Sequence, residues 1–146
     1  MREQTTVHAT RMAPWHLWAV GIVALLWNAS GAYTIMMAQA GKLADVSLEE
    51  AAYYALQPGW LVVITDIALV SAIVAAIALL LRKRAAVWLF AVSLAAIVMT
   101  NAYELAAGTS RVLVNRGALV VTTIIVLLAV LQLAYSSAMK KRAVLA

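Results

Sequence analysis

Trp60-Leu61-Val62-Val63-Ile64-Thr65-Asp66-Ile67-Ala68-Leu69-Val70 opens an apolar run that continues to Leu81. Such a run matches the about 20 residues with which a helix crosses the hydrocarbon core of a bilayer. It carries one carboxylate, Asp66. A charge at that depth costs about 3 kcal/mol on insertion scales, so a partner, a proton or water has to offset it. Three further stretches look alike. No Asp, Glu, Lys or Arg occurs between Arg11 and Lys42, between Arg84 and Glu104, or between Arg116 and Lys140.

The whole composition agrees. Of 146 residues, 66% are hydrophobic and 12% are charged. A soluble chain of this size has too much surface for its volume to hide that apolar content. The expected fold is therefore all-α: an integral membrane four-helix bundle forming a single domain over residues 1–146. Its spans are expected at about 15–39, 60–81, 86–107 and 117–138, with a short interfacial helix at about 48–56 in the first loop.

Several functions are excluded or unsupported. The net charge of +5 does not mark a nucleic-acid binder, because the cations sit at the ends of apolar runs, where they set topology. The absence of cysteine removes disulfides, thiolate metal sites and cysteine nucleophiles. There is no Gly-rich phosphate loop, no His-Glu-x-x-His and no nucleophile elbow, so neither an enzyme nor a cofactor or metal site is expected. His8 and His16 read as solvated or interfacial side chains, since a metal needs more ligands nearby. Trp15 and Trp18 suit the headgroup level. The first apolar run exceeds a signal-peptide core, so the small residues near Ser30-Gly31 are not expected to be cleaved.

Helical spacing assigns faces. On span one, Gly21, Leu25, Asn28, Ala32, Ile35 and Gln39 share a side, which directs Asn28 toward protein. In the first loop, Ser47 and Glu50 fit a capping box, Pro58-Gly59 ends the short helix, and Tyr53 and Tyr54 anchor it to the interface. Span two carries the small stripe Ala68, Ser71, Ala72, Ala75 and Ala76, suited to close helix approach, with Asp66 nearly opposite. On span three, Ser93, Thr100 and Glu104 share a face with Asn101 beside it. Glu104, near the end, is expected at the interface and cheap to expose. Span four shows the seam Ala118, Thr122, Ile125, Ala129, Gln132 and Ser136.

Basic clusters mark one side of the membrane: the N-terminal arginines, Arg82 to Arg84, and Lys140 to Arg142. The positive-inside rule then places both termini in the cytoplasm. Counting 1.5 Å per residue puts Asp66 roughly 9 Å below the outer interface, with Asn101, Thr122, Thr123 and Tyr33 near that level and Asn28 deeper. The expected site is a polar layer around Asp66, with Asn101, Tyr103, Glu104, Thr122, Thr123, Asn28 and Tyr33 as contributors and Arg111 or Arg116 at its rim. Intramembrane acids mark ion and solute pathways. The alternative is that Asp66 is packing glue, satisfied by hydrogen bonds and an arginine.

Three segments carry a resemblance: Trp27-Asn28-Ala29-Ser30-Gly31-Ala32-Tyr33, Gln57-Pro58-Gly59-Trp60, and Leu80-Leu81-Arg82-Lys83-Arg84 before Ala86-Val87. They resemble small four-span α-proteobacterial proteins commonly auto-named sugar transporters. The resemblance spans most of the chain and implies a bacterial inner membrane; it transfers no catalytic residue. Three-helix sugar transporters use a Pro-Gln motif, whereas here the pair is reversed, Gln57-Pro58. Asn101 and Glu104 have a spacing similar to that of four-helix membrane glutathione enzymes, but Ile97 stands where their arginine belongs.

Two functions follow as expectations. One is a transport-type protein, homo-oligomeric, moving a small solute such as a sugar through the Asp66 layer. The other is a non-catalytic accessory or assembly subunit of a larger membrane complex. In both, the lipid bilayer is the first partner.

Overall fold

Small residues bring the second and third spans together, and the other elements pack around that pair. The computed structural model describes residues 13–42, 44, 48–108 and 116–145. Five helices follow one another: α1 Trp15–Gln39, α2 Leu48–Ala55, α3 Gly59–Leu80, α4 Ala85–Ala106 and α5 Arg116–Lys141. All but α2 are long and apolar enough to cross a membrane. The chain is a multi-pass membrane protein built as a four-helix bundle, with the short helix in the first loop. The last span continues to Lys141, three residues past the expected end at 138. Ser47, Arg111 and the side chains of Glu50 and Arg116 lie outside what is described, as does His8.

The small stripe of α3 is buried along its length: Ala68, Ser71, Ala72, Ala75 and Ala76 all face protein. Without large side chains between them, α3 and α4 approach closely, and Ser93 Oγ of α4 donates to the Ala68 carbonyl of α3 at 2.9 Å. An Ala68 carbonyl already bonded within its helix has a second lone pair to offer, so this hydrogen bond costs the helix nothing. α1 packs on α3 through Gly21. A Cβ at that position would meet the Leu80 side chain at 2.5 Å. α5 packs on α4, so the order around the bundle is α1, α3, α4, α5.

The densest core gathers at the end of the bundle that carries the basic residues. Leu17 of α1, Ala75 and Leu79 of α3, Ala86 and Phe90 of α4, Met139 of α5 and the following Val144 and Leu145 form one cluster. The segment after α5 turns back to reach it. Ala143 takes a left-handed conformation with φ 57°, Ala143 N–H donates to the Lys140 carbonyl and Val144 N–H to the Met139 carbonyl. That is a Schellman ending. α3 ends the same way with Arg82 at φ 59°. A non-glycine residue there costs about 1–2 kcal/mol. Contacts offset it: Arg82 Nε donates to the Val144 carbonyl at 3.1 Å and Arg84 Nε to the Leu145 carbonyl at 3.2 Å. The basic turn, beyond any role in topology, clamps the segment after α5. At the opposite end α1 and α4 finish on Gly41 (φ 65°) and Gly108 (φ 69°), where no such clamp is needed because glycine adopts the conformation without strain.

The close contact at Gly21 yields a test. Gly21→Val should lower the midpoint of thermal unfolding in detergent, corresponding to about 1–3 kcal/mol of overpacking. Shortening the opposing side chain by Leu80→Ala in the same protein should recover most of the loss. Equal melting of the parent and Gly21→Val would contradict this packing.

Candidate functional site

At the end of the bundle opposite the basic turn, Glu104 is 6% exposed. The expectation of a carboxylate cheap to expose is therefore corrected: Glu104 stays near the end of α4 but is buried. The first loop reaches it there: Tyr53 Oη of α2 donates to Glu104 Oε1. Gln57 Nε2 reaches the same oxygen at 3.4 Å. Sequence spacing sees α4 alone, where Glu104 lies on the last turn. Only the tertiary fold brings the donors of the first loop to that terminal position. Tyr53 thus anchors α2 to protein, and Tyr54 stacks edge-on against it with ring centroids 5.1 Å apart. Beside them Trp60 at the start of α3 meets Tyr103 edge-on at 4.6 Å. Among the described residues, this carboxylate accepting from Tyr53 and Gln57 beside the Trp60–Tyr103 pair is the most organised polar cluster.

Asp66 stands apart from it. Its side chain is half-buried on α3. The exposed stripe of that helix is Val63, Ile67, Val70, Val74 and Ile77. At 100° per residue Asp66 lies about 60° from the centre of this stripe and about 150° from the centre of the buried alanine stripe. Among the described residues it makes no hydrogen bond and no ion pair. Its oxygens stay accessible, since the fully buried polar atom without a partner is Gln39 Nε2.

The other expected contributors are dispersed among their own helices. Asn101 Nδ2 donates to the Ile97 carbonyl at 2.8 Å, and Thr123 Oγ1 to the Leu119 carbonyl at 2.8 Å. Thr100 likewise bonds back to the Ala96 carbonyl at 2.9 Å. Thr122 is half-buried, and Tyr33 is 63% exposed. No hydrogen bond joins Asp66 to Asn28, Tyr33, Asn101, Glu104, Thr122 or Thr123 among the described residues. Arg111 and the side chain of Arg116 fall outside the described residues, so their place at a rim is not part of this geometry.

Asn28 faces protein, as its place on the α1 stripe requires. Its Nδ2 donates to Gln132 Oε1 on α5 at 3.1 Å and to the Ala24 carbonyl at 2.8 Å. A second bridge joins the same two helices nearer the basic end: His16 Nδ1 and Tyr135 Oη share a hydrogen bond of 2.6 Å. Sequence spacing finds Gln132 on the α5 seam but passes over Tyr135 and leaves His16 at the interface. The residues' polarity near a run of apolar neighbours is the available signal; their pairing across 119 positions is not.

No group of three or more His, Cys, Asp or Glu side chains gathers to hold a metal among the described residues. Comparisons with protein-family models, with curated proteins and with solved structures give no match.

The Glu104 cluster makes a specific demand on α2. Glu104→Leu removes the acceptor shared by Tyr53 and Gln57 and should speed amide hydrogen exchange across residues 48–57, while Glu104→Gln, which keeps an oxygen there, should do so less. Tyr53→Phe should shift the same segment in the same direction. Unchanged exchange in Glu104→Leu would mean that α2 is held by other contacts.

Proposed function

We propose that this chain is a subunit of a membrane assembly of transport type, in which Asp66 binds a small solute or its coupling ion next to a neighbouring chain. The observation that carries the reading is the position of Asp66. A carboxylate at the flank of a lipid-facing stripe, without a polar partner among the described residues, retains the cost of about 3 kcal/mol that a charge incurs at that depth. A second chain or a bound cation on that flank removes the cost, and an acid whose partner is exchangeable is what solute or proton movement uses.

Four spans are few for a complete alternating-access pathway, which favours a homo-oligomer. The resemblance to small four-span proteins auto-named sugar transporters points to a small polar solute, a sugar among the candidates. It also points to a bacterial inner membrane, with both termini cytoplasmic by the charge rule. The dispersed polar groups Asn101, Thr122, Thr123 and Tyr33 become part of the site only through such an assembly, and Asn28 and Glu104 contribute by holding α5 and α2 in place. No catalytic role is proposed.

A second reading has its own observation. The cavity between α1 and α5 is apolar and opens sideways, as a surface meant for other membrane components does. An accessory subunit of a larger complex fits that feature, with Asp66 paired to a cation on another subunit.

The test begins with the native mass of protein purified from its own membrane in mild detergent, followed by uptake of labelled small solutes into vesicles. A homo-oligomer with flux that Asp66→Asn reduces tenfold or more, at unchanged assembly, supports transport. Stoichiometric co-purification with unrelated subunits, and no flux for the chain alone, overturns it in favour of the accessory reading.

A further inference from the structure

The end of the bundle that carries the basic turn has no acidic residue to balance it among the described residues. Glu49 and Glu50 of α2, Asp66 of α3 and Glu104 of α4 all belong to the opposite half. Two cations of the basic end are held in place there. Arg84 stands at the N-cap of α4 in helical conformation, φ −60° and ψ −23°. Its Nε donates to the Leu145 carbonyl at 3.2 Å. That engages one of the five N–H donors of a guanidinium. The Nη nitrogens have no hydrogen-bond partner among the described residues.

The second cation is Lys140, whose Nζ lies 6.0 Å from the centre of the Trp88 ring. That is the reach of a cation–π contact. An ammonium resting on a ring face keeps its outward N–H donors for another acceptor. Trp88 follows Arg84 by four residues and so lies on the same side of α4, one turn deeper. The first turn of α4 thus gathers a guanidinium from its own cap and an ammonium from the end of α5 around one indole. All three side chains are exposed.

The level of this corner selects its occupant. Arg84 precedes the first residue of one spanning helix, and Lys140 lies in the last turn of another. Both charges therefore sit where hydrocarbon gives way to headgroups. Trp88 is 70% exposed at that boundary, and Trp15 and Trp18 are exposed at the same end; indoles favour the headgroup level. Below Trp88 the same side of α4 continues with Val92, Ala95 and Met99, all exposed and apolar. An acyl chain uses that stripe, whereas free phosphate or an acidic segment of a soluble protein does not. Cations above an apolar stripe complement a molecule that is anionic at one end and hydrocarbon at the other.

We propose that the Arg84–Trp88–Lys140 corner binds one anionic phospholipid from the leaflet at the basic end. Its phosphate accepts from Arg84 Nη and Lys140 Nζ, and an acyl chain lies along Trp88, Val92 and Met99. Bound there, the lipid bridges α4 to the end of α5 and adds to the hold that Arg84 has on Leu145. This assignment is independent of the role of Asp66.

The test is native mass spectrometry of the full chain, delipidated in detergent and titrated with phosphatidylglycerol or phosphatidylcholine of identical acyl chains. A cation near a headgroup contributes about fivefold in affinity, so the two at this corner give phosphatidylglycerol an advantage of about 25-fold. Lys140→Gln should reduce that advantage about fivefold. Lys141→Gln, with the same loss of charge one residue on, should reduce it less, and Lys42→Gln at the far end should leave it unchanged. Melting temperatures near the parent's would show that the variants are folded. Equal binding of the two lipids by the parent, or equal losses in Lys140→Gln and Lys141→Gln, overturns the proposal. Displacement of the lipid by inorganic phosphate at equal concentration would reduce the corner to a bare anion site and overturns it too. So does a poly-glutamate peptide that the parent binds in preference to phosphatidylglycerol, which would give this face to an acidic protein.

Discussion

The close approach of α3 and α4 is the constraint on which the rest of the bundle depends. In lipid, apolar side chains gain little by leaving one hydrocarbon environment for another, so helix association rests on van der Waals packing and interhelical hydrogen bonds. Ala68, Ala72, Ala75 and Ala76 supply the first by their smallness, and Ser93 supplies the second at the Ala68 carbonyl. α1 then joins at Gly21, again because a small residue lets Leu80 in. α5 joins α4, and the segment after it is fastened by Arg82 and Arg84.

Packing is uneven along the membrane normal. The basic end has Phe90, Leu17, Leu79 and Leu145 almost wholly buried in one cluster. The opposite half has fewer such residues and more polar ones. Glu104 is buried there and accepts from a loop helix, and Asp66 is left at the edge of the lipid-facing stripe. One end therefore holds the helices together, while the other leaves polar groups available to something beyond the chain.

Much of the fold could be read directly. Charge gaps located the four spans, and helical periodicity identified the α3 stripe and the α1 face carrying Asn28, because both patterns express rules local to one helix. The candidate site was less legible. Its residues were grouped by depth, and depth fixes only one of three coordinates. Asn101 and Thr123 share a level yet bond back to their own helices, while Glu104 acquires its donors from Tyr53 and Gln57, 51 and 47 positions away. His16 and Tyr135 meet because α1 and α5 end the circuit of the bundle side by side.

The order of residues thus dictated the class, since uncharged apolar runs of about 20 residues have the length of spanning helices, which satisfy their backbone within the segment, and exceed that of barrel strands. It also dictated that Asp66 would be an expensive residue, because cost depends on depth and charge. The azimuthal placement of that residue was settled by tertiary packing, as were the enclosure of Glu104 and the apolar cavity between α1 and α5. Each depends on which helix faces turn toward one another, and that follows from the summed fit of many side chains across the bundle, not from the period of any one segment.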